Sequence, residues 1–293
     1  MFKGVHNINV EALKQQIKQW LDEDIGSGDV TANTTIPAQS QAKAIIHVKE
    51  EGIIAGIPVA QLVFEVVDAT LSFTAKVDDG DFVSKGTIIA EVEGATRSLL
   101  MGERIALNLM QRLSGIATKT NQYVKAIEGY STRLVDTRKT TPGHRMLEKY
   151  AVRIGGGFNH RFGLYDAVMI KDNHIKGAGS ITNAVKSARE HIPHTMKIEV
   201  EVENMVQLYE AMEAGADIIM LDNMSVDMMR TATEHIKREA PHIIVEASGG
   251  VSLNTIASIA QTGVDVISVG ALTYSVQALD ISLDLNEKKG GTN

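Results

Sequence analysis

Lys197–Asp222 reads KIEVEVENMVQLYEAMEAGADIIMLD. Lys197–Val202 has the composition and alternation of a strand, with Glu199 and Glu201 on the same side of it. MVQLYEAMEAGA follows as a helix, and Asp217–Asp222 is a second strand that ends on charge. The same unit recurs on both sides. Strands are predicted at Arg133–Asp136, Ala167–Lys171, His242–Ala247 and Val266–Gly270, with helices at ITNAVKSAREHI, VDMMRTATEHIKREA and NTIASIAQTG. Six strands joined by helical crossovers call for a parallel sheet. Charge ends strand after strand as though facing one mouth, which favours closure into an α/β barrel over the order of a doubly wound sheet. Met205, Met212, Met220, Met224, Met228 and Met229 sit at core spacing and read as packing.

Next to this unit lies an island of positive charge. Arg133–Lys176 holds nine Lys or Arg against Asp136, Glu148, Asp166 and Asp172, a net +5 in a chain whose formal charge is -7. His144, His160 and His174 fall there too, without metal-binding H-x-H or H-x-x-x-H spacing. A cationic island in an acidic protein suits a pocket for a small, heavily charged anion; the acidic balance argues against nucleic acid and membrane surfaces. Arg145–Arg153 reads equally well as a solvated helix face. Arg138, Lys139 and Lys171 stand where strands run into loops, the place where parallel α/β proteins keep their chemistry.

The chain before the island has another character. Val10, Leu13, Ile17, Trp20 and Leu21 mark one face of a helix that Asn9 can cap. Gly26-Ser27-Gly28 has neither a strand before it nor a Lys after it, so it reads as a turn and not a phosphate loop. From Ala42 to about Gly94 strands dominate, around a helix near Val59–Val67, which implies an α+β domain. DDGDFVSKGTIIAEVEG is similar to half of a lipoyl or biotinyl domain, but Lys85 is not at a hairpin tip, so only a related β-fold is expected. Ser98–Glu128 is a long helical stretch predicted to break near Ser114-Gly115 and to cross into the second domain. The expected division is 1–110, then a barrel over 111–274, with 275–293 returning a strand to the first domain. Absence of cysteine excludes disulfides and thiolate metal sites. With no apolar run long enough for a bilayer and no apolar signal core at the start, a soluble cytoplasmic protein is expected.

Read by strand ends, the second domain presents Arg138/Lys139, Lys171/Asp172, Glu199/Glu201, Asp222/Asn223, Ser248/Gly249/Gly250 and Gly270/Ala271. The last two groups would offer backbone N–H at helix N-termini, a phosphate site, unless the glycines only make tight turns. Glu201 and Asp222 suit sugar hydroxyls or Mg²⁺ rather than phosphate.

GERIALNLMQRLSGIAT, VDTRKTTPGHRMLEKYAVRIGGGFNHR, AVMIKDNHI, EVEVE, MLDN, EASGG and ISVGALT, in this order, resemble the quinolinate phosphoribosyltransferases. The likeness runs from EDIGSGDVT to the end of the barrel. It implies an N-terminal α/β sandwich, an open six- to seven-stranded α/β barrel and a head-to-tail homodimer. It also implies transfer from 5-phosphoribosyl 1-diphosphate to quinolinate with Mg²⁺, giving nicotinate mononucleotide, pyrophosphate and CO₂ in NAD biosynthesis. By matching positions, quinolinate would meet Arg138, Lys139, His160, Arg161 and Lys171, with Arg104 from the partner subunit. Glu201 and Asp222 would take the ribose and metal side, and Ser248, Gly249, Gly250 and Gly270 the 5-phosphate. Lys139, Lys171, Glu201 and Asp222 are the implied catalytic set. A molybdenum-associated paralogue, a Schiff-base aldolase built on Lys171 and a non-catalytic phosphometabolite-binding protein are the rival readings.

Overall fold

In the computed structural model, which describes residues 8–286, the chain begins with α1 (Val10–Ile25). Asn9 caps it by accepting the Ala12 N–H at 3.1 Å, and Leu13, Ile17 and Leu21 are buried, the face that the spacing predicts. Asp29 caps α2 (Val30–Thr35), so Gly26-Ser27-Gly28 is a turn between helices. There follow β1 (Gln41–Val48), β2 (Gly52–Ile53), α3 (Ile57–Val67), β3 (Ser72–Ala75), β4 (Phe82–Val83), β5 (Ile88–Ala95) and α4 (Thr96–Ala126). Next come β6 (Arg133–Val135), α5 (Arg145–Ile154), β7 (Val168–Ile170), α6 (Asp172–Ala178), α7 (Ile181–His191), β8 (Ile198–Val202), α8 (Met205–Glu213) and β9 (Ile218–Asp222). The described residues end with α9 (Val226–Glu239), β10 (Ile244–Ser248), α10 (Ile256–Ala260), β11 (Val266–Ser268), α11 (Ala271–Tyr274) and β12 (Ile281–Asn286).

Two compact units emerge. The first takes the chain to Lys119, then Met146–Gly155 and the chain from Val276; the second is Thr120–Arg145 with Gly156–Ser275. The boundary expected at residue 110 therefore moves to Lys119, Met146–Gly155 joins the first unit, and two further expectations are corrected with it. α4 does not break at Ser114-Gly115. Ser114 Oγ accepts the Ala55 N–H at 3.0 Å and donates to the Ala55 carbonyl, while a Cβ on Gly115 would lie 2.2 Å from the Gln277 carbonyl oxygen. These small residues admit another segment against an unbroken helix. The second correction concerns α5, which is not a solvated face. Leu147, Tyr150, Ala151 and Val152 are buried in it, the Tyr150 hydroxyl donates to Asp79, and the fully buried Glu148 accepts Arg112 Nε at 2.8 Å.

The first unit carries a four-stranded antiparallel sheet in the order β12-β1-β5-β3, with α1 and α3 packed together. β12 pairs with β1, the strand that the sequence expects the tail to return; residues 287–293 of that expected tail lie outside the described residues.

The second unit is a parallel sheet in the order β6-β11-β10-β9-β8-β7. From β7 to β11, neighbours in the chain are neighbours in the sheet, so there is no point where the order reverses. That separates the barrel from a doubly wound sheet. The barrel is open: β6 and β7 are the two ends of the order. At β6, among the described residues, Phe158 adds an isolated bridge, its N–H donating to the Leu134 carbonyl at 2.8 Å. Val200, Leu221, Ala247 and Ile267 are wholly buried on one side of the strands, while Met169, Glu201, Met220, Asp222, Ser248 and Ser268 line a cavity on the other.

Candidate active site

The cavity measures about 610 Å³ and lies at the carboxyl ends of the barrel strands. Arg138, Lys139, His160, Arg161, Lys171, Glu201, Asp222, Ser248, Gly249, Gly250 and Gly270 all line it, so the structure brings together every expected residue of the barrel. Arg104 is not among them. It lies on α4 in the first unit, its side chain 56% exposed and 3.5 Å from Glu103.

Local contacts set each cation in place. The Thr273 hydroxyl donates to the Lys139 carbonyl at 2.8 Å, and Lys139 Nζ lies 6.0 Å from the centre of the Tyr274 ring. Arg145 closes the loop after β6 by donating to the Thr140 hydroxyl and the Phe162 carbonyl, both at 2.9 Å, and to the Arg138 carbonyl at 3.3 Å. Arg145 therefore shapes the site without lining it. Arg161 donates to the Ala167 carbonyl at 2.9 Å, and burial together with nearby Arg138 lowers its pKa. Lys171 begins α6, where its N–H reaches His174 Nδ1 at 3.0 Å. Its ammonium pairs with Glu201.

Beneath these groups His160 reaches Glu199 and Glu246, each at 3.4 Å from Nε2. Burial pulls its charged form down, but the two carboxylates outweigh burial and push the pKa up to about 10. The Arg161 N–H, 2.7 Å from Nδ1, is the contact that opposes a second ring proton. Burial raises the pKa of Glu199 despite the histidine.

Also on the cavity wall, Asn223 donates to Asp222 at 2.7 Å and, among the described residues, is the one non-glycine with positive φ, 52°. Gly249 and Gly250 are left-handed, with φ of 88° and 61°. A Cβ at Gly249 would stand 2.3 Å from Asn223 Oδ1, so only glycine fits there. The expected pair of helix N-termini is corrected at its first member: α10 starts only at Ile256, whereas α11, a single turn, does begin at Gly270-Ala271. Consecutive left-handed residues, not a helix end, expose the N–H groups after β10.

Sequence reading missed several lining residues: Thr137, Tyr274 and Ser268 among them. Ser268 is the most telling. Its Oγ and the Arg138 Nε are buried without a protein partner, and both line the cavity. Its position, two residues before the expected Gly270 on the same strand end, was the available signal.

Residues 29–114 and 116–284 match, respectively, the N-terminal and C-terminal domains of quinolinate phosphoribosyl transferase. A probable carboxylating nicotinate-nucleotide pyrophosphorylase of Synechocystis is 49% identical over 92% of this chain and 91% of its own. One of Bacillus subtilis is 49% identical over 93% of each. The solved nicotinate-nucleotide pyrophosphorylase of Francisella tularensis superposes with a TM-score of 0.90 at 41% identity, covering 96% of this chain and 98% of that one. Identity at this level over both units, with the expected barrel residues gathered in one cavity, establishes that the chain belongs to the quinolinate phosphoribosyltransferase family.

Proposed function

We propose that this protein transfers the phosphoribosyl group of 5-phosphoribosyl 1-diphosphate to quinolinate and releases pyrophosphate and CO₂, leaving nicotinate mononucleotide. The observation that carries the reading is one cavity in which two chemistries meet. Arg138, Lys139, His160, Arg161 and Lys171 line it together with Glu201, Asp222 and the Ser248–Gly250 turn, and Lys171 pairs with Glu201 where the two sets join. Arg guanidinium forks and Lys suit the two carboxylates of the acceptor. The unpartnered Arg138 Nε and Ser268 Oγ are donors for an anionic guest.

The ring nitrogen of quinolinate attacks the anomeric carbon as the bond to pyrophosphate breaks. Glu201 and Asp222 stabilise the positive charge that develops on the ribose. The carboxylate next to the ribosylated, cationic nitrogen then leaves as CO₂. The electron pair stays on the ring carbon, which takes up a proton. Positioning and electrostatics supply the catalysis, and no covalent enzyme intermediate is needed.

Mg²⁺ fits the donor set of Glu201 and Asp222. Each is a carboxylate with one oxygen held by a neighbour, Lys171 or Asn223, and a second oxygen besides. They form no closed cage, which suits an ion that takes one or two carboxylates and completes its shell from phosphate and water. Bound there, it would neutralise the leaving pyrophosphate. Lys171 pairs with Glu201 and shares the cavity with Arg138, Lys139 and Arg161, a setting for anion binding rather than for Schiff-base chemistry.

The reading further assigns a homodimer in which Arg104 reaches the partner's cavity, working in the cytoplasm; among the described residues no helix is long and apolar enough to cross a membrane. The deciding assay follows pyrophosphate and CO₂ release with quinolinate, with nicotinate as the control acceptor. Little turnover of nicotinate is expected, since a monocarboxylate leaves cations unmet at a cost of about 1–3 kcal/mol each. Equal turnover of the two acids would refute the assignment.

A further inference from the structure

The inward face of a parallel barrel is normally filled by bulky apolar side chains. Here two carboxylates occupy it. Glu199 lies two residues before Glu201 on β8, and Glu246 two before Ser248 on β10, so each faces the same way as a cavity-lining residue but one step deeper. Their side chains are 2% and 4% exposed. Burying two like charges on β8 and β10, the strands either side of β9, is costly unless they are held by a donor. That donor is His160, whose Nε2 lies 3.4 Å from one oxygen of each, while the second oxygen of each is buried with no protein partner.

His160 is pinned at its other atoms as well. Its backbone N–H donates to the buried Asp136 at 2.9 Å, and Nδ1 faces the Arg161 N–H at 2.7 Å. Asp136 also accepts Asn159 Nδ2 at 2.6 Å. The ring thus links the barrel interior to the backbone of Arg161, whose guanidinium lines the cavity.

We propose that Glu199 and Glu246 are positioning residues of the acceptor subsite: they clamp His160 through its Nε2–H and so fix the His160-Arg161 pair against the carboxylates of quinolinate. The clamp explains why two acids lie beneath a pocket meant for a dianion. Their charge is spent on the imidazole, and the imidazole turns donor chemistry toward the guest. This role rests on the quinolinate reading above.

The test is steady-state kinetics on the whole protein with Glu199→Gln and Glu246→Gln, which keep volume and one acceptor oxygen but remove charge. Loss of a charged partner should raise the KM for quinolinate roughly tenfold or more while that for the sugar diphosphate stays within about twofold. An unchanged quinolinate KM in a folded variant, or an equal rise in both constants, would overturn the clamp. A wild type inactive on quinolinate would instead refute the functional reading. The clamp is then still decided by ¹⁵N NMR of the wild-type His160 ring, which also serves if a variant does not fold. A proton is expected on Nε2, with or without a second on Nδ1; a ring protonated on Nδ1 alone rules the clamp out.

Discussion

Lys171 and Lys139 occupy strand-end positions, and neither ammonium is buried in the core. Lys171 is 42% exposed, so its pair with Glu201 contributes at most about 1 kcal/mol to stability. Lys139→Ala and Lys171→Ala should therefore melt within a few degrees of wild type yet lose roughly tenfold or more in kcat/KM, as removal of a charged contact to substrate requires. Insoluble or non-cooperatively melting variants would make these lysines structural. The carboxylates behave differently. Glu201→Gln and Asp222→Asn should impair use of the sugar diphosphate and leave quinolinate binding, measured by calorimetry, nearly unchanged; a large loss of quinolinate affinity would reverse the assignment. His160 adds a pH signature. Its folded pKa is raised from 6.5 to about 10, so its contribution is fully present below 6.5 and is lost as pH rises through about 10. Melting temperature should fall across that window in the wild type and fall less in His160→Gln, with circular dichroism as the readout.

Among the elements, α4 and α5 carry the strongest demands on packing. The Gly115 position of α4 is in van der Waals contact range of the 276–278 segment, where Leu279 N–H donates to the Gln111 carbonyl at 2.9 Å and Gln111 Nε2 donates to the Ile281 carbonyl at 2.8 Å. In an ordinary helix Gly→Ala is stabilising. Here the added Cβ meets backbone at 2.2 Å. Gly115→Ala should cost about 1–3 kcal/mol of stability through overpacking, and should loosen the β12 pairing with β1. Urea unfolding and amide exchange on Ile281–Asn286 measure both; a stabilised variant would mean that the contact yields freely. α5 is held by Tyr150 on Asp79, which in turn accepts the Gly56 and Ile57 N–H groups at 2.8 and 2.9 Å and so caps α3. Burial raises the pKa of Asp79.

At the scale of the whole molecule the open question is where Arg104 acts. It lies on α4, in a different compact unit from the cavity residues. Mixing Arg104→Ala chains with Lys171→Ala chains under conditions of subunit exchange separates the two arrangements. If Arg104 serves the partner, each mixed dimer regains one intact site and activity returns to about a quarter of wild type by random pairing. If it serves its own chain, no site is whole and nothing returns. Absence of recovery despite proven exchange ends the shared-site proposal.

Much of this architecture is local and therefore legible in the sequence. Strand period, helix period and caps involve residues a few positions apart. The Asn204 side chain accepting Gln207 N–H at 3.0 Å starts α8 where the pattern says it starts. All six barrel strands fall within a residue or two of their expected places, and charge at their carboxyl ends marks the mouth, because a parallel sheet points every such end the same way. What the tertiary structure decided depends on partners far along the chain. Ser114 meets Ala55 across 59 positions, which keeps α4 whole, and Tyr150 meets Asp79 across 71, which buries a helix whose charges suggest solvent. The His160 clamp is of the same kind. Glu199 reads as a neighbour of Glu201 until the sheet curls and brings β8, β10 and the loop before β7 onto one ring nitrogen. Periodicity tells which side a residue faces; only the folded chain tells what it faces.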